Sequence, residues 1–149
     1  MHVSARTDYA LRALLQLAAR HPGAVTMGEV VTQQGLPRSF VETILPDLRR
    51  AGFVRVSRVG QPSYTLTRAP DQISVGSVLR AVEGPLTRVR GLPPDALSYT
   101  GAAQGLGALW VAATAVLSEL VDTVTLSDLV AGHAATELAR ESAAKSAPP

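Results

Sequence analysis

The chain has no cysteine. Disulfides, thiolate metal sites and thiol redox sensing are therefore excluded. Its three histidines, His2, His21 and His133, are too far apart in sequence for a metal-ligand spacing, so no metal and no cofactor are expected. Aromatic residues are scarce at 4% while apolar residues reach 46%, so the core has to be built from Leu, Val and Ala. No apolar run looks long enough to span a bilayer. The first twenty residues lack the basic-then-apolar pattern and cleavage site of a signal peptide. A cytoplasmic protein with no membrane partner is the expectation. Also missing are a Ser/His/Asp group, paired catalytic carboxylates and a phosphate loop at identifiable spacing, so an enzyme is not expected. A length of 149 residues leaves room for one compact domain, or a small domain with an added oligomerisation element.

What the chain does contain is organised around residues 26–52. Thr26 followed by Glu29 fits a capping box, in which each side chain satisfies an amide at a helix start. Val30 and Val31 are apolar within that helix, and Gly35 supplies a permissive turn. A second amphipathic segment follows, with Phe40, Val41, Ile44 and Leu48 as its apolar stripe and Arg38, Ser39, Glu42 and Thr43 off it. Two short helices joined by a tight turn are the helix-turn-helix unit, whose second helix enters the DNA major groove, although any helical hairpin shares the pattern. Pro46 lies inside the second helix and should bend it without breaking it. Arg49 and Arg50 then place positive charge at the negative end of that helix.

Around this unit, Ser4 can cap a first helix over residues 5–20, with Leu11, Leu14, Leu15 and Ala18 as its buried stripe. His21, Pro22 and Gly23 end it. Residues 53–58 and 64–67 alternate apolar and polar positions, and the turn-like residues 59–63 join them into a hairpin. A helix-turn-helix followed by a hairpin is a winged helix. Arg58 sits at the wing, where an arginine can enter the narrow minor groove or simply be an exposed hairpin residue. Ser74 can cap a short helix to Glu83. Residues 85–102 form a Pro/Gly-rich connector, and long loops of this kind are often functional. Residues 104–124 are strongly helical, with Leu106, Leu109, Trp110, Ala113, Leu117, Leu120, Val121 and Val124 along an apolar face. A second copy of the chain is the simplest cover for it. Thr125 with Asp128 starts a last helix, expected to run to about Arg140, and residues 141–149 should be disordered.

The charge is uneven. Residues 1–70 hold nine arginines against four acidic residues, a net +5, whereas residues 71–149 carry a net −3. That split suggests a polyanion partner for the first half.

Several segments together resemble one family. Ser4, Tyr9-Ala10-Leu11-Arg12, Gln34-Gly35, Phe40-Val41-Glu42, Leu48 to Val54, Tyr64, Arg80 to Gly84, Leu109-Trp110 and Thr125 to Leu129 stand in the order and spacing of the Rrf-two family. These are bacterial winged-helix transcription regulators that include iron–sulfur-cluster and nitric-oxide-sensing members. The resemblance covers residues 2–130. It implies a mainly α fold with a small β-hairpin wing: a winged helix-turn-helix domain at residues 1–84, a connecting or sensory loop at 85–103, dimerisation helices at 104–140 and a tail.

It further implies a homodimer on double-stranded DNA, acting as a repressor on an inverted-repeat operator. The expected DNA contacts are Arg38, Ser39, Glu42, Thr43 and Arg49 on the second helix, Arg58, Gln61 and Ser63 on the wing, and Ser4, Arg6 and Thr26 at the helix starts. Cluster-binding members carry three cysteines in the loop before the Leu-Trp pair; this chain has none there, and Gly107 stands where one branch has a histidine ligand. A cluster-free member is therefore expected. Arg88, Arg90, Asp95 and Tyr99 make the loop a candidate site for a small-molecule effector, the arginines suiting an anion and Tyr99 an aromatic body. Without a ligand, the loop would pack through Tyr99 with its arginines in water. The competing function is a winged-helix module that binds another protein instead of DNA.

Overall fold

The computed structural model describes residues 1–133 together with 137, 138, 140, 141 and 144. The order of elements is α1 (Ala5–Arg20), β1 (Val25–Thr26), α2 (Met27–Gln34), α3 (Arg38–Arg50), β2 (Val54–Ser57), β3 (Ser63–Leu66), α4 (Val75–Glu83), α5 (Gly105–Thr123) and α6 (Leu126–Ala131). The strands form one antiparallel sheet in the order β1-β3-β2. The architecture is a winged helix, mainly α with a small sheet, as expected. The two-residue strand β1 was not anticipated. It pairs Val25 with Tyr64 and Thr26 with Ser63, fastening the start of the helix-turn-helix to the wing.

Four of the six helix starts follow from local chemistry, those of α3 and α5 having no side-chain cap. The Ser4 hydroxyl accepts from the Thr7 amide, Thr26 and Glu29 form a full capping box, Ser74 accepts from Ser77, and Thr125 forms a second box with Asp128. In the Thr26 box the Thr26 backbone N–H, first among its contacts, holds the Glu29 carboxyl below the usual carboxylate range. Gly35 takes φ 59° between α2 and α3, a left-handed conformation that glycine adopts without a Cβ penalty. Helix α3 runs unbroken through Pro46 to Arg50, as expected.

Helix α1 lies at the centre of the core. Ala10, Ala13, Leu14 and Leu17 are buried there against Val30, Val41, Ile44, Leu45, Leu48, Tyr64 and Leu66. Leu11 and Leu15, expected within the buried stripe, flank it half-exposed, because the stripe is centred one residue away. Phe40 also departs from expectation: it is 44% exposed, and Leu45 takes its place in the core.

Helix α6 returns to the winged-helix domain. Leu126 is fully buried in the main core, its amide donating to the Ile73 carbonyl at 3.0 Å, while the Val75 amide donates to the Val124 carbonyl at 2.8 Å. Gly132, at φ 73°, ends the helix at Ala131, so the expected single helix to Arg140 stops there. His133, Glu137, Leu138, Arg140, Glu141 and Ala144 are helical again, so the expected disorder does not hold at Glu141 and Ala144; the other residues of 134–149 lie outside the described ones.

Helix α5 with the turn before it spans 23 residues, Gly101–Thr123, long and apolar enough to cross a membrane by length and composition. This corrects the expectation that no run has that length. The far end of the helix is tied to the domain. Val121 is buried against Leu79 and Leu86, and Arg80 of α4 donates twice to the Asp122 carboxylate, at 2.8 and 2.6 Å. Gly76 permits this joint: a Cβ there would sit 1.9 Å from the Asp122 Oδ1.

The start of α1 is held by Glu83. Its Oε1 accepts from the Ser4 amide at 3.0 Å and from the Thr7 hydroxyl. Hydrogen bonds from Ser4 and then Thr7 keep the carboxyl below its usual range. A depressed folded-state pKa contributes stability that is present above the unfolded value, about 4.3, and is lost as pH falls through the folded one. Glu83→Gln should therefore lower the urea midpoint near neutral pH, and its deficit against wild type should shrink at about pH 3. A deficit independent of pH would rule the carboxylate charge out.

Candidate nucleic-acid interface

Helix α3 buries Val41, Ile44, Leu45 and Leu48 and leaves the other side in solvent. Arg38, Ser39, Glu42 and Thr43 are all exposed at its first turns. The Arg38 Nε donates to the Glu42 Oε1 at 3.2 Å, and the Thr43 hydroxyl donates to the Phe40 carbonyl at 2.9 Å. The pair fixes both side chains loosely, since each is more than half exposed. This is a helix whose first two turns offer a cation, an acceptor and two hydroxyls to whatever approaches.

The two flanks of α3 are supported differently. Toward α1, Asp47 accepts from both Arg6 and Arg50, and Phe40 packs edge-on against Tyr9 with ring centroids 5.3 Å apart. Toward the wing, Arg49 and Arg58 line one groove of about 400 Å³ with Pro46, Val56, Pro62 and Tyr64. The hairpin register, Val54 to Leu66 through Ser57 to Ser63, places Arg58 just past the last pair. The Phe53 amide donates to the Leu48 carbonyl at 2.9 Å, which fixes the wing to the end of α3. Two arginines nine residues apart, one at the end of α3 and one on the wing, thus line one groove.

The other expected contacts divide. Gln61 is exposed at the wing tip, and Ser63 is half-buried in β3. Arg6 is held by Asp47 beside α3. The Ser4 and Thr26 hydroxyls are engaged in capping their helices. Exposed residues not among the expected DNA contacts are Phe40 and Arg50 on α3 and Arg55 on β2. Alternation along β2 turns Arg55 outward, and that signal was available. Phe40 carried no such signal, because it fitted the apolar spacing.

Helix α5 sorts the expected interface residues onto two faces. Leu106, Leu109, Ala113 and Leu120 are exposed, and Val116 joins them at 67% exposure. These five fall at alternating spacings of three and four, the pattern of a coiled-coil seam. Trp110, Leu117 and Val124 are half-buried, and Val121 is buried within its own chain, so it does not belong to the open face.

The connector brings only part of the effector group together. Arg90, at φ 54°, places its guanidinium 5.8 Å from the Tyr99 ring centre. The Tyr99 hydroxyl accepts from the Trp110 Nε1 at 3.2 Å, and Gly107 lies under the same ring, where a Cβ would be 3.5 Å away. Arg88 points elsewhere, its Nη1 3.5 Å from the Gly91 carbonyl, and Asp95 faces α5 at a separate cavity. Tyr99 is thus an anchor between the loop and α5, capped by Arg90.

Comparison with known proteins places these features. The family model that matches is Rrf2, described as an iron-dependent transcriptional regulator, over residues 3–132. A helix-turn-helix-type transcriptional regulator of Mycobacterium tuberculosis is 35% identical over 133 residues, 89% of this chain and 83% of that protein. The structure of CymR, the global cysteine regulator of Bacillus subtilis, superposes with a TM-score of 0.74 at 27% identity, covering 88% of this chain and 97% of that one. IscR from T. potens gives 0.70 at 27% identity, covering 89% and 88%.

The residues do not fit an iron–sulfur cluster. The chain has no cysteine, and no group of three His, Asp or Glu side chains comes together among the described residues. Gly107, at the position where one branch has a histidine ligand, offers no side chain and lies against the Tyr99 ring.

Proposed function

The chain belongs to the Rrf2 family of transcriptional regulators, and from that premise we propose that it is a cytoplasmic, dimeric, sequence-specific DNA-binding repressor that works without an iron–sulfur cluster. The observation that carries this reading is the convergence of Arg49 and Arg58 on one groove at the end of α3, whose first turns are exposed. Arg38, Ser39, Glu42 and Thr43 read base edges, while Arg6, Arg49 and Arg58 meet phosphates or the minor groove. Gln61 and Ser63 contribute from the wing. The open seam of α5 is covered by a second copy instead of lipid, because its far end is fixed to the winged-helix domain through Asp122 and Val121. Twofold symmetry then sets the operator as an inverted repeat, with half-sites one helical turn or a multiple apart. This charge pattern and the family favour DNA over a protein partner.

Selection from random duplexes followed by footprinting tests the reading. Arg38→Ala should cost about 1–3 kcal/mol per half-site and relax preference at particular base positions. Arg58→Ala should weaken selected and unselected duplexes more evenly. If both variants bind the selected duplex as tightly as wild type, α3 and the wing are not the interface.

A further inference from the structure

We propose that the cavity between the connector and α5 is a binding site for a small molecule with an apolar body and a primary amine. The cavity holds about 370 Å³, within the range of small-ligand sites. Its walls are scaffolded on both sides. Leu86 is buried against Leu79 and Val121, Pro94 is buried, and the Thr87 and Thr114 hydroxyls meet across the gap between connector and helix. Most of the lining is apolar, with Leu86, Pro94, Val111 and Ala115 offering contact area and Ser118 a hydroxyl.

The charge on the walls selects the ligand. Arg80 lines the cavity, but its charge is already paired with the Asp122 carboxylate through both terminal nitrogens, so it adds little net positive charge for an anion. Among the described residues, Asp95 is the lining charge outside an ion pair, and it accepts from a cation. The preference is therefore opposite in sign to the anion expected at Arg88 and Arg90. The site is also distinct from the Gly107–Tyr99 contact, lying further along α5. Because Arg80 joins α4 to Asp122, a ligand here touches the joint between the winged-helix domain and the long helix. That consequence rests on the regulator reading; the binding itself does not.

The full chain is melted with benzylamine, benzyl alcohol or benzoate, three probes that share a ring and differ in charge. With a dissociation constant of about 1 mM, benzylamine at tenfold excess should raise the melting temperature by about 3–6 °C and saturate. Benzyl alcohol should do less, and benzoate nothing. Asp95→Asn should reduce the amine effect to that of the alcohol, and Ala115→Trp should remove both. If Ala115→Trp does not fold, the Asp95→Asn arm still decides. No saturable rise with benzylamine, an equal rise with benzoate, or an unchanged amine effect in Asp95→Asn would overturn the proposal. Amine binding in a protein that binds no DNA would leave the site standing and sink the regulator reading; DNA binding without amine binding would do the reverse.

Discussion

Leu109→Asp should convert the protein to monomers in sedimentation. Leu109 is 54% exposed in the single chain and sits in the Leu106, Ala113, Val116 and Leu120 seam, so within its own subunit the charge stays open to solvent. In the proposed dimer the carboxylate would be buried on both sides of an apolar seam with no partner, a strongly unfavourable placement. The fold should survive, because the residue is outside both buried clusters. Operator affinity should fall by about 10²–10⁴-fold, since two linked recognition helices bind far more tightly than one. A variant that stays dimeric would move the interface off this seam.

Leu126→Ala should have the largest effect on stability, about 2–5 kcal/mol, the usual cost of truncating a fully buried leucine. Leu126 follows the long helix, yet it packs in the main core beneath α1. Removing it should loosen α1 and the Ile73–Val75 edge together, lowering the urea midpoint with a single transition. A loss below about 1 kcal/mol would mean that α6 is a loosely attached appendage and not part of the core.

Helix starts were the most legible feature of the chain. Ser4, Thr26 with Glu29, Ser74 and Thr125 with Asp128 are short-range chemistry, and each is where the spacing put it. The hairpin was legible from alternation, but β1 was not, because two residues cannot show a period. Phe40 and Leu45 exchanged roles. Both fit an apolar stripe, and only packing against α1 decides which is centred on the core. Val121 was assigned to a partner for the same reason: periodicity finds an apolar face but not what covers it, and here Leu79 and Leu86 cover part of it. Within the candidate interface, exposure of the first turns of α3 was readable. The convergence of Arg49 with Arg58 needed the register of the wing. The connector was the least legible segment, since the pairing of Arg90, Tyr99 and Trp110 depends on a left-handed residue and on contacts across eleven positions that no local pattern shows.

The most direct test of DNA recognition through α3 and the wing is fluorescence anisotropy of a selected duplex over a series of salt concentrations, with wild type and Arg49→Ala side by side. Each phosphate contact releases counterions, so the logarithm of affinity should fall linearly with the logarithm of salt, by about 0.9 per contact. The variant, losing one contact in each half of the dimer, should show a slope shallower by about 2. A wild-type slope near zero, or an unchanged slope in Arg49→Ala, would contradict the assignment of this face to DNA.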